Sequence, residues 1–185
     1  MIKKTLKEIS NNFLKLSEVC EQDIVNASNI IIKALESNNK IMFCGNGGSA
    51  ADSQHLSAEL IGRYKKNRKP LSSISLTTDT SALTAISNDF SFNEIFSRQV
   101  EALGNKGDIL YAISTSGNSE NILKALYQAS ENGLITIGLT GENNSKIENM
   151  CDCIIKVPAT SPDRIQEMHI AVGHLICEII EDTLC

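Results

Sequence analysis

The sequence predicts an α/β protein, a three-layer, doubly wound sheet of five parallel strands preceded by N-terminal helices. Three observations point there. Five short apolar runs, at 41–44, 71–76, 109–114, 135–139 and 154–157, mostly lack the polar alternation of a half-exposed strand, as strands covered on both faces do. Segments of helical period separate most of these runs, which is the pattern of strands joined by crossover helices. The first 38 residues show helical period and no strand signal.

Taken in order, Ile2, Leu6, Ile9, Phe13 and Leu16 and then Ile24, Ala27, Ile31 and Leu35 recur at helical spacing, with a break near Cys20 to Asp23. That pattern gives two helices or one bent helix. Further helices are expected at 49–61, 91–103, 120–132 and 162–182, the last announced by Ser161 at an N-cap and Pro162 at the first helical position. No repeat, low-complexity stretch or linker divides the chain, so residues 1–185 are expected to form a single domain with 1–38 as an N-terminal helical segment.

Composition narrows the function classes. The 185 residues are 42% hydrophobic and 21% charged, with a formal net charge of -5. That balance argues against a nucleic-acid or anionic-membrane partner. The one basic run, Arg63 to Lys69, reads as a solvated loop, with a local anion site as the alternative. Residues 1–16 alternate charge and apolar groups, which is neither a signal peptide nor a membrane span, and a cytoplasmic protein is expected. The six cysteines are then expected to be reduced thiols. Cys151 and Cys153, one residue apart, make a poor zinc half-site and read as buried strand-edge thiols.

In a doubly wound sheet ligands bind beyond the carboxyl ends of the strands, and three polar loops are expected there, at 45–49, 77–80 and 114–119. The third, Ser114-Thr115-Ser116-Gly117-Asn118-Ser119, brings four hydroxyls and one glycine to a strand-to-helix passage, where backbone N–H groups and a helix N-terminus suit a phosphate. Ser119 has a simpler reading as an N-cap. No lysine-bearing Walker pattern is present. The loose dinucleotide fingerprint of Gly45, Gly47 and Ala50 lacks its ribose-binding acid at the usual distance, Asp79 being too far along.

On an ideal helix Asp52, His55 and Glu59 fall within about 60° of one another. His55 and Glu59 are therefore a two-ligand metal pair, a histidine beside a general base, or an exposed pair of little energetic value. On the last helix Ile165, Met168, Val172, Leu175, Ile176 and Ile179 form a core stripe, and Gln166, Ile170, Gly173, His174 and Cys177 a second face expected at a subunit interface. His169, at the shoulder of the stripe, reads as a satisfied structural histidine.

With these residues assembled, the chain resembles the phosphoheptose isomerases of the sugar-isomerase (SIS) family, whose fold is flavodoxin-like. The resemblance rests on the run from Gly45 to His55, Ala58-Glu59-Leu60, Gly62-Arg63-Tyr64, Asn88-Asp89-Phe90, Phe96-Ser97-Arg98, the run from Ser114 to Ser119 and Arg164-Ile165-Gln166-Glu167. It implies a cytoplasmic homotetramer converting sedoheptulose 7-phosphate to D-glycero-D-manno-heptose 7-phosphate for a lipopolysaccharide core or capsule. It further implies phosphate binding by Ser114, Thr115, Ser116 and Ser119, and sugar contacts from Asn46, Gly47, Gly48, Asn88, Asp89 and Gln166. Zinc is implied at His55, Glu59, Gln166 and His174, with Glu59 and His174 as the acid–base pair.

Eight residues separate Gln166 from His174, roughly 12 Å along a helix, so one metal would need both side chains to lean inward, a distorted first turn, or a site shared with another subunit. Two other functions compete. One is a noncatalytic SIS module that senses a phosphosugar or docks on a protein; relatives of that kind lack the glutamate and last-helix histidine that stand here at Glu59 and His174. The other is a different SIS enzyme, such as an arabinose-phosphate isomerase, against which the full-length match counts.

Overall fold

The computed structural model describes residues 1–185. Its sheet contains β1 (Ile41–Gly45), β2 (Ser73–Ser75), β3 (Ile109–Ile113), β4 (Ile135–Gly141) and β5 (Cys153–Val157). The order is β2-β1-β3-β4-β5 and every neighbouring pair is parallel. Ile41 pairs with Ile109 and Ile109 with Ile135, so odd-numbered side chains of these strands share one face and even-numbered ones the other. Both faces are covered, and β1 and β3 are buried at every position, which explains their unbroken apolar character.

One face carries α1 (Ile2–Val19), α2 (Glu21–Glu36), α3 (Gly48–Ile61) and α7 (Pro162–Leu184) against Phe43, Tyr111, Ile137 and Leu139. The other carries α5 (Ser97–Leu103) and α6 (Glu120–Glu131) against Met42, Leu110 and Ala112. Each fully buried leucine or isoleucine stabilises the fold by about 1.5–3 kcal/mol relative to exposure. The chain passes from β1 outward to β2 and then crosses back past β1 to β3, so the switch point lies between β1 and β3. The loops that follow these two strands flank it.

The expected layers, strand number and N-terminal helices are present, and the break at Cys20 separates two helices rather than bending one. Five expectations are corrected. The run at 71–76 yields only Ser73–Ser75 as strand, because this edge strand pairs with β1 over three residues. A helix, α4 (Thr80–Asp89), occupies residues read as loop or left unassigned, and only 97–103 of the expected 91–103 helix is α-helical, after a 3-10 turn at Phe92–Glu94. Asp79 caps α4, its Oδ1 accepting from the Ala82 N–H at 2.9 Å. Leu175, placed in the core stripe of α7, is 44% exposed, because it faces an open groove beside Phe13 and Val25 rather than the sheet. Cys151 and Cys153 are half-buried rather than buried; all six thiols are free.

Candidate active site

α3 and α7 lie side by side and run in the same direction: Gln166 sits against Gly48, Gly173 against Leu56, and His174 against His55. Two absent side chains permit this approach. A Cβ on Gly48 would stand 2.6 Å from Gln166 Nε2, and one on Gly173 would stand 2.5 Å from Leu56 Cδ2. At the turn into α3, Gly47 has φ +56 and ψ -120, a conformation L side chains avoid. The face of α7 expected at a subunit interface is therefore partly used within the chain: Gly173 and Cys177 are buried against α3 and the core.

His55 Nε2 lies 2.8 Å from His174 Nε2 and 3.3 Å from Glu59 Oε1. The two imidazoles meet edge to face with centroids 5.0 Å apart, and the Tyr64 ring stacks on His174 at 5.7 Å and 28°. Two Nε2 atoms this close require one to carry a proton toward the other, or both to turn lone pairs toward a shared cation. Ligand atoms of His55, Glu59 and His174 all lie within 4.8 Å of one another, and two imidazoles with one carboxylate are a donor set suited to zinc. The amide of Gln166, the fourth expected ligand, lies against Gly48, seven residues before His55 on α3. α7 is unbroken from Pro162 to Leu184, so no distortion of its first turn brings Gln166 toward His174.

Asp52 projects from the same side of α3. Its Oδ2 is buried with no hydrogen-bond partner, and burial pushes the carboxyl up to about 6 against the opposing pull of His55. The Tyr111 hydroxyl is likewise buried and unpartnered. His169, expected to be satisfied, is fully buried but neither ring nitrogen has a partner in hydrogen-bonding geometry; burial pushes its pKa down to about 4, so it is neutral.

The 114–119 loop is wound on itself. Ser114 Oγ accepts from the Gly117 N–H at 3.1 Å and lies 3.3 Å from Ser119 Oγ, while Ser116 Oγ accepts from the Asn118 N–H at 3.2 Å. Ser119 occupies the N-cap position of α6, yet its hydroxyl faces Ser114 instead of capping the helix. A reciprocal amide pair joins this loop's helix to the glycine turn: Asn46 Nδ2 donates to Asn121 Oδ1 at 2.9 Å and Asn121 Nδ2 to Asn46 Oδ1 at 2.8 Å. Asn121 had no assigned role in the sequence; its signal was a polar residue in the first turn of a helix that otherwise buries that side. Asn88 and Asp89 end α4, exposed and bonded to each other at 2.8 Å, with no hydrogen bond to either loop or to Glu59.

The basic run is not a plain solvated loop. Arg68 and Glu181 are paired at 2.9 Å with side chains 3% and 2% exposed. Glu181 also accepts from the backbone N–H groups of Tyr64, Lys65 and Lys66 at 3.1, 2.7 and 2.7 Å. Burial alone would raise this carboxyl, but the three N–H donors and Arg68 outweigh it and hold it down at about 2. The basic run does bind an anion, supplied by α7 of the same chain.

Comparison with known proteins agrees along the whole length. Residues 6–141 match the SIS domain family. A phosphoheptose isomerase of Rhodospirillum rubrum is 54% identical over 173 residues, covering 94% of this chain and 92% of that protein. One of Nitratiruptor sp. is 52% identical over 182 residues, covering 98% and 97%. The solved structure of the phosphoheptose isomerase of Neisseria gonorrhoeae superposes with a TM-score of 0.93 at 41% identity, covering 98% of this chain and 97% of that one.

Proposed function

The chain belongs to the phosphoheptose isomerase family of SIS-domain proteins and is an isomerase, and from that premise we propose that it interconverts sedoheptulose 7-phosphate and D-glycero-D-manno-heptose 7-phosphate. The observation that carries the reading is the convergence of Glu59, His55 and His174 at one point between α3 and α7. Moving a carbonyl from C2 to C1 needs a base, an acid and a stabilised oxyanion. Glu59 takes the proton from C1, and the C–H electron pair forms the C1–C2 double bond of an enediolate. The C2 carbonyl pair moves onto its oxygen in that step; His174 then assists return of a proton to C2 while the hydroxyl proton at C1 passes to the C2 oxygen, which leaves an aldehyde at C1 and a hydroxyl at C2.

Ser114, Thr115, Ser116 and Ser119 hold the phosphate in this reading, and the preformed hydrogen bonds of their loop support it. Asn46, Gly47, Gly48, Asn88, Asp89 and Gln166 contact the sugar. His55, Glu59 and His174 would hold zinc, with Gln166 as the fourth family position. Bound zinc would polarise the substrate carbonyl and stabilise the oxyanion. The Gln166 amide serves the same oxygen as a hydrogen-bond donor.

The protein acts in the cytoplasm as a homotetramer and supplies heptose for lipopolysaccharide or capsule. No helix is long and apolar enough to cross a membrane. An apolar groove that includes Phe13, Val25, Leu175 and Ile179 supports a subunit contact along α1, α2 and α7. Purified protein incubated with sedoheptulose 7-phosphate, with product followed by NMR, should convert it; no conversion with or without zinc overturns the reading. Glu59→Gln should lose about 100- to 10,000-fold in kcat while still binding substrate.

A further inference from the structure

We propose that the buried Arg68–Glu181 pair, acting with Tyr64, is a positioning device that fixes Glu59 and His174 relative to each other. The proposal rests on the assignment of those two residues as the acid–base pair.

Three connections meet at this pair. Arg68 Nη2 donates to the Glu59 carbonyl at 2.7 Å and Nη1 to the Leu60 carbonyl at 2.8 Å. Both are last-turn carbonyls of α3; Leu60 also accepts the Leu71 N–H at 3.0 Å, whereas Arg68 is the donor to the Glu59 carbonyl, so the guanidinium grips the turn that carries Glu59. Its Nε donates to Glu181, which lies on α7 seven residues beyond His174, two turns along the same side of the helix. The third connection runs through the loop. Glu181 accepts the Tyr64 N–H, and the Tyr64 ring so placed stacks on His174. One ion pair therefore links the backbone under the base, the helix that bears the acid, and the ring against that acid.

Stability alone does not account for it. A buried ion pair is commonly no more stabilising than apolar side chains of the same volume, whereas its hydrogen bonds fix direction as well as distance. Here the Glu181 carboxylate meets four donors and the guanidinium reaches three carbonyls, including that of Lys69 at 3.1 Å. A network in which every nitrogen and oxygen of the two side-chain charges has a partner holds one geometry.

The test separates positioning from stability. Arg68→Met with Glu181→Leu replaces the pair by packed apolar side chains, and Tyr64→Leu removes the ring without touching the pair. Each protein is assayed for kcat and KM with sedoheptulose 7-phosphate, for its melting temperature, and for its imidazole resonances, which are few because the chain has 3 histidines. Both proteins should remain folded, lose about 10- to 100-fold in kcat with KM little changed, and shift the His174 resonance while that of His169 stays in place. Tyr64→Phe, which keeps the stacked ring, should restore kcat and the resonance.

Folded variants with wild-type kcat and an unmoved His174 resonance overturn the proposal. If the double variant does not fold, Tyr64→Leu decides it by the same two readouts. Glu59→Gln is measured alongside. Should it keep near-normal turnover, the acid–base assignment falls and this proposal with it; should it be inactive while the other variants behave as wild type, only the positioning role falls.

Discussion

The two ends of the α3–α7 pair are held by opposite means. At the N-terminal end Gln166 lies on Gly48, and contact there depends on a side chain that is missing. At the C-terminal end a buried guanidinium and carboxylate join the helices through directed hydrogen bonds. Packing against a glycine sets a distance but lets the helices roll, whereas a satisfied ion pair also sets their rotation. Glu59 and His174 stand toward the oriented end. In the proposed mechanism, proton transfer, which depends on angle as well as distance, falls where rotation is fixed.

The contrast can be broken from either end. The largest effect should come from Glu181→Ala, which strands a buried Arg68 and should cost about 3–5 kcal/mol in urea unfolding. A cost below about 1 kcal/mol would show that water or a neighbouring acid replaces the carboxylate. Gly173→Ala drives a Cβ into Leu56 near the middle of the pair and should cost about 1–3 kcal/mol, with a fall in kcat as the helices part.

Two carboxyls with opposite shifts give the pH dependence. The Glu181 carboxyl is held at about 2, so its contribution to stability is complete above the unfolded value near 4.3 and is lost as pH falls toward 2. The Asp52 carboxyl is raised to about 6, so its contribution is complete below the unfolded value near 3.9 and is lost as pH rises through 6. Asp52→Asn should accordingly raise the melting temperature at pH 7 by about 2–4 °C and make little difference at pH 4. The smallest effect on stability belongs to Gly48→Ala, within about 0.5 kcal/mol, because the flexible Gln166 amide can swing aside. Its signature is a raised KM for the sugar phosphate at nearly unchanged melting temperature.

The regions also differ in how far they could be read from the chain. The five strands, the glycine turn and the serine loop were legible because burial on both faces and turn chemistry leave local marks. The convergence of Glu59 with His55 followed from spacing on one helix. α4 was not legible because it buries no residue fully and so carries little apolar period to detect. Leu175 was misplaced because a stripe gives direction, not the extent of what covers it. The pairing of Arg68 with Glu181 spans 113 residues of sequence and had no local mark beyond a basic run whose other members are mostly solvated.

The position of α7 in the chain has a consequence for the order of assembly. Residues 162–184 follow the last strand, yet they supply Ile165, Met168, Val172, Ile176 and Ile180 to the larger core, His174 to the cluster with His55 and Glu59, and Glu181 to the loop at 64–66. Until that helix docks, one face of the sheet is only partly covered by α2 and α3, His174 is missing from the cluster and the loop at 64–66 has no carboxylate to fold upon. Completion of the proposed catalytic centre thus coincides with closure of the core. A molecule that has not finished folding has no means of turning over substrate.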